Sequence, residues 1–294
     1  MELVFPKLLT IGWSSSILGL CHKARNAEDQ TIIFDLSKTD FITPFGITLL
    51  AGTILECLEK NKAIGYKEPT KRKLREFLKR IGFYFFFQLP QSADFEAYDT
   101  TVQLKRLKAI DSLYIDKIIS VFGHDLKLSS GVKDSLKLSL NETITNVFDH
   151  SNSLPGCFVC AQSYRNKKNI KLCITDFGNG IFKELSRIPK YKEQIKDSYD
   201  AIRLAVQEGV TSRPKSSGGF GLSHIMRFLR VNKGQITIIS GDGKVRWRPD
   251  KRETENQKMP YQFQGTIVDM KINYDKEGIY LLPSEVNVWE EDSL

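Results

Sequence analysis

The chain has 294 residues, 41% of them hydrophobic, so it can bury at least one substantial core as one large or two medium domains. No apolar run approaches the roughly 18 residues that cross a bilayer, and neither a signal peptide nor an anchor is expected at the start, where Pro6 and Lys7 break the sequence. A formal charge of +8 raises nucleic acid, but no DNA-binding motif accompanies it; five scattered cysteines give no disulfide framework, so a cytoplasmic protein with neither nucleic-acid nor membrane partner is expected.

In chain order, TIIFDL at 31–36 is a continuous β-rich run, as a strand buried on both faces requires. After the turn-forming SKTDFITPFG, residues Ile47, Leu50, Ile54, Leu55 and Leu58 trace one side of a helix. Leu74, Phe77, Leu78 and Ile81 recur at helical spacing within 70–81, so the densest basic stretch reads as an amphipathic helix with a solvated cationic face. FYFFF at 83–87 has the composition of a strand or packed edge. The polar, aperiodic LPQSADFEAYDT at 89–100 marks the linker region.

Two helices are predicted next, at about 112–122 and 131–150, followed by strands near 156–163 and 170–176. A Lys-rich, mostly helical segment is expected over 182–212, a helix over 221–231, and strands near 235–240, 244–248 and 263–272. Cys157 and Cys160 form a C-x-x-C, but no second pair and no histidine at ligand spacing accompany them, so they read as strand residues.

Three boxes stand out from this pattern. In LSLNETITNVFDHS, Glu142 and Asn146 are four apart and share a helix face, with Asp149 and His150 beginning the next turn. In ITDFGNGI, Asp176 closes a strand; Gly178 and Gly180, followed by Ile181, let backbone approach a flat ring or a phosphate closely. In SSGGFGLSHI, Gly218, Gly219, Phe220, Gly221 and Leu222 open a helix whose free N–H groups attract phosphate. Asp176-Phe177-Gly178 also spells the metal-holding triplet of protein kinases. The context fails, however: there is no Gly-rich loop with a strand lysine, and none of His22, His124, His150 and His224 is followed by Arg-Asp.

On these boxes, residues 105–275 resemble the GHKL ATP-binding domain shared by gyrase, heat-shock chaperones, histidine kinases and mismatch-repair ATPases. Glu142 and Asn146 match its N box, Asp176 to Gly180 its first glycine box, Gly219 to Leu222 its second, and Gly265-Thr266 its last strand. The resemblance implies a two-layer α/β sandwich, a mixed sheet covered by helices. It implies ATP and Mg²⁺ as cofactors, with Asp176 accepting from the adenine amino group, Thr266 supporting that edge, Asn146 giving one oxygen to the metal and Glu142 acting as general base. Segment 182–217 corresponds to a lid whose best placed cations are Arg213 and Lys215, and His150 falls where some members carry a basic residue near phosphate.

Residues 1–95 are similar to a STAS-like α/β domain of the anti-sigma-factor-antagonist kind, leaving 96–104 as linker and 276–294 as a tail. In place of that family's Asp-Ser-Ser-Gly stands Thr43-Pro44-Phe45-Gly46, so a phenyl ring occupies the position of the phosphorylated serine, and Thr43 is left to cap or shape the turn. The whole implies a two-domain α/β switch protein: a serine/threonine kinase of the anti-sigma-factor type acting on a partner, STAS-like or another regulatory protein. The alternative is a conformational ATPase or ATP-gated interaction module, with homodimerisation left open.

Overall fold

The computed structural model describes residues 1–87, 99–126, 128–150, 155–210, 221–248 and 254–273. Three parallel strands order as β1 (Glu2–Val4), β3 (Thr31–Asp35) and β5 (Ala63–Lys67), with β1 and β5 flanking β3; a short parallel pair, β2 (Leu8–Leu9) and β4 (Phe41–Ile42), lies beside them. Helix α1 (Ser14–Asn26) precedes β3, α2 (Pro44–Glu59) precedes β5, and α3 (Arg72–Arg80) follows it. The expected run at 31–36 and helix around Ile47 to Leu58 are thus present, whereas β1, α1 and β5 were not anticipated.

Helix α2 is apolar nearly all round, and every residue from Pro44 to Ile54 is buried, which only a helix enclosed on several sides can satisfy. Pro44 fits its first turn because the missing N–H has no helical partner there. Thr43, expected to cap or shape the turn, makes no cap hydrogen bond; its hydroxyl donates to the Leu9 carbonyl at 3.3 Å, and Phe45 is fully buried. On α3 only Leu74 and Leu78 are buried, and Arg72 pairs with Glu76, so its basic face is solvated. FYFFF forms a 3-10 turn, not a strand: Gly82 at φ +79° redirects the chain, and Phe87 packs on Tyr66, ring centroids 4.4 Å apart. Tertiary packing of the aromatic cluster overrides local β-propensity.

The remaining chain builds a five-stranded sheet ordered β6 (Thr101–Leu107), β7 (Cys157–Tyr164), β8 (Asn169–Asp176), β10 (Glu255–Asn273), β9 (Gln235–Trp247). Every pairing in it is antiparallel, which corrects the mixed sheet expected for this part. Residues 101–104, in the expected linker, are already strand β6. Expected strands 235–240 and 244–248 are one strand, β9, which runs through Gly241 at φ +62°.

One sheet face carries α4 (Ser112–Leu126), α5 (Ser130–His150) and α9 (Gly221–Val231), contributing Ile118, Ile144 and Phe228 to a shared core. The opposite face carries α1 and α2. A single apolar cluster runs from Phe34 of β3 through Leu50 of α2 to Phe158, Cys173 and Ile267 of the antiparallel sheet. Buried on both faces, β7 turns Cys157 to one cluster and Cys160 to the other, so the C-x-x-C thiols point apart and cannot share a metal. All five cysteines are free and buried.

The expected long helical segment over 182–212 is, among its described residues, three short helices: α6 (Ile181–Ser186), α7 (Pro189–Lys192) and α8 (Ser198–Ala205). Pro189 starts one, and Asp197 caps the next by accepting from the amides of Tyr199 and Asp200. Leu185, Tyr191, Ile195, Ala201 and Leu204 give them a small core of their own.

Candidate functional site

Strand alternation aims two pairs of residues at one cavity of about 130 Å³: Ile174 and Asp176 from β8, Thr266 and Val268 from β10. Helix α5 adds Thr143, Asn146 and Val147; the turn after β8 and helix α6 add Gly180, Ile181, Glu184 and Leu185. Ala205, Val210 and Leu222 complete the wall. The volume is close to the roughly 150 Å³ in which an engineered apolar cavity holds a benzene ring. Apolar walls with one buried acid and a hydroxyl describe a pocket for a flat, mostly apolar group with a hydrogen-bonding edge.

Asp176 is 3% exposed. Burial pushes its carboxyl up to about 7, against the stabilising amide of Gly178, which donates to Oδ1 at 2.9 Å, and against donation from Thr266. The Glu184 carboxylate pushes the same way; it is held by the Asn179 amide at 2.7 Å and by Arg187 at 2.8 Å. A carboxyl so placed gains from any ligand N–H that replaces lost water.

The turn from β8 into α6 is fixed by a hydroxyl from another strand. The Ile181 amide donates to Ser240 Oγ at 2.8 Å, and Ser240 Oγ donates to the Gly265 carbonyl at 2.9 Å. Gly265 itself sits at φ +119°, in a stretch of β10 where the register shifts. A Cβ there would lie 2.1 Å from the Asp176 carbonyl oxygen and 2.8 Å from Phe177 Cα, so β8 and β10 can meet only at a glycine. Gly265→Ala is therefore expected to destabilise the protein by about 2–5 kcal/mol, left-handed strain plus overpacking. Urea unfolding measures it, and a loss under about 1 kcal/mol would contradict the geometry.

The sequence-predicted residues distribute as follows. Asn146, Asp176, Gly180, Ile181, Leu222 and Thr266 meet around the cavity, and Gly178 contacts Asp176. Glu142 lies one turn before Asn146, half-buried, against the start of α9: a Cβ on Gly221 would be 3.0 Å from Glu142 Cβ. Asp149 and His150 end α5 with side chains outside the described residues; Arg213, Lys215, Gly218, Gly219 and Phe220 also lie outside them. Ile174 and Val268 are not among the residues expected at the site, although the period of two from Asp176 and Thr266 points to them. Nor are Ser240 and Glu184, for which no local signal exists.

Among the described residues no group of three or more His, Cys, Asp or Glu could hold a metal. Asn146 offers one amide oxygen at the pocket wall, a donor set that suits a hard cation bringing most of its ligands as water and phosphate. Phe177, the middle of the kinase-like triplet, is buried on the other face of the sheet and packs edge-on to Phe158 and Phe263, at 5.8 and 5.4 Å. Comparisons with known protein families and with characterised proteins returned no match.

Proposed function

We propose that the chain is an ATP- and Mg²⁺-binding signalling switch whose pocket is of the GHKL type, joined to a STAS-like regulatory segment. The observation that carries this reading is Asp176: a carboxyl buried at the floor of an apolar-walled pocket, beside Thr266 and opposite Asn146. In it, adenine lies between Ile174, Ile181, Leu185 and Val268, and its amino group donates to Asp176. Guanine carries a carbonyl at that position, which the ionised acid repels.

Glu142 and the first turn of α9 lie together next to Asn146, so in this reading a base and the N-terminus of a helix, whose dipole favours negative charge, serve the phosphates. Bound Mg²⁺ supplies charge neutralisation of the triphosphate, with Asn146 Oδ1 as its one protein ligand. Glu142 would then take the proton from an attacking hydroxyl, the serine or threonine of a partner protein, or from water, as that oxygen bonds to the γ-phosphorus and the bond from phosphorus to the β–γ bridging oxygen breaks to release ADP. Full burial of Phe45 supports a partner, and not the chain's own 43–46 loop, as phosphoryl acceptor. The five buried free thiols support a reducing, cytoplasmic setting; no helix among the described residues is long and apolar enough to cross a membrane.

A second reading, an ATP-gated conformational module, is favoured by the apolar cluster that joins α2 to the back of the nucleotide sheet. Incubation with γ-labelled ATP and Mg²⁺, alone and with cell lysate, separates the two. Label on a protein supports the kinase; phosphate release alone supports an ATPase; bound ATP with neither supports gating without chemistry.

A further inference from the structure

Asp176 sits between two residues that turn to the other face of the sheet. Thr175 is fully buried there, its hydroxyl 2.8 Å from that of Thr48 on α2, and Thr48 also reaches Cys173 Sγ at 3.3 Å. Phe177 lies against Gly52, one turn further along α2: a Cβ on Gly52 would come within 1.9 Å of Phe177 Cε2 and 2.2 Å of Cζ. The ring has no room to retreat, since Phe158 and Phe263 flank it.

The other side of the pocket floor is held from behind as well. Arg25 of α1 donates to Gln264 Oε1 at 2.9 Å, two residues before Thr266, and its guanidinium stands 5.9 Å from the Phe177 ring centroid. The same guanidinium is anchored to Glu56 of α2 at 2.9 Å. Two polar residues of the pocket floor, Asp176 and Thr266, are thus braced by helices from the first sixty residues. Close-packed interfaces are bistable and do not deform continuously, so a shift of α2 has to move Phe177 and with it the strand end that aims Asp176.

We propose that helix α2 is a positioning element for the nucleotide pocket, with Gly52 and Thr48 setting the aim of Asp176, so that whatever moves α2 changes the affinity and base selectivity of the site. This rests on the nucleotide reading above. By linkage, nucleotide binding also changes the free energy of moving α2, which makes the first half of the chain a reader of the site's occupancy.

The test titrates ATP·Mg²⁺ and GTP·Mg²⁺ by calorimetry into the full chain, wild type and variants, with thermal melts to establish folding. If wild type binds neither nucleotide, the functional reading fails and this inference with it. If wild type binds ATP, Gly52→Ala is expected to weaken ATP at least tenfold and to narrow the ATP-to-GTP ratio. Gly52→Ala combined with Phe177→Leu, which makes room for the new methyl, returns affinity to within threefold of Phe177→Leu alone. A folded Gly52→Ala protein with wild-type ATP affinity, or one that loses affinity with its ATP-to-GTP ratio unchanged, overturns the proposal. Should Gly52→Ala not fold, Thr48→Val carries the same test: about threefold weaker ATP and a narrowed ratio support it, and unchanged values refute it.

Discussion

Asp176→Asn is expected to weaken ATP binding about ten- to hundred-fold, which corresponds to the roughly 1.5–3 kcal/mol of a hydrogen bond to a charged group. Asparagine keeps the volume and one acceptor, but it presents a carboxamide where adenine offers an amino group, and it loses the charge that rewards donation. The same change is expected to help the empty protein. Burial raises the folded-state value from 3.8 to about 7, so the folded chain holds this proton more tightly than the unfolded chain does. Stability from this group therefore declines as pH rises from about 4 to about 7 and stays low above that. Relative to wild type, the variant should melt higher at pH 8 than at pH 5, a contrast that thermal melts can read. Asp269 and Glu56, also raised to about 7 by burial, titrate in the same window in both proteins, so the comparison isolates Asp176. In wild type, ATP affinity should fall as pH drops below about 7, because protonation removes the negative charge that strengthens donation from the adenine amino group. An affinity that is flat from pH 5 to 8 would contradict the role given to this acid.

Glu142→Gln is expected to lower phosphoryl transfer or phosphate release by about 10²–10⁴-fold, the usual contribution of a general base, while ATP affinity stays within about threefold. The split follows from position. Glu142 is one turn of α5 away from Asn146 and against the first residue of α9, next to the cavity but not among the groups that enclose it. Glutamine keeps the packing against Gly221 and cannot take a proton. Single-turnover kinetics with a separate binding titration distinguish the two effects. Equal losses in binding and turnover would make Glu142 a structural contact of the helix pair instead.

What could be read from the sequence depended on whether the signal was local. The segments around Glu142–Asn146 and Asp176–Gly180 are short, with periodicity or backbone demands that sit within a few residues, and Asn146, Asp176, Gly180 and Ile181 do converge on one cavity. Thr266 joins them from ninety residues further on, legible only through the resemblance of its Gly-Thr strand. Ser240 was invisible because its task, holding the Ile181 amide, is defined by a strand pairing and not by its neighbours. The antiparallel order of the sheet was likewise beyond reach, since buried strands such as β7 carry apolar residues on both faces and give no alternation to orient them. The uniform burial of α2 explains the largest surprise. Its Gly52 and Thr48 carry no local signal in the sequence, and only the fold shows that the helix is enclosed between two sheets with Phe177 against its glycine.

The most direct test of the central claim is a calorimetric titration of the full chain with ATP and with GTP, each with Mg²⁺. One ATP per chain is expected, bound at least tenfold more tightly than GTP. No heat with ATP, or equal affinity for the two nucleotides, would contradict an adenine pocket built on Asp176.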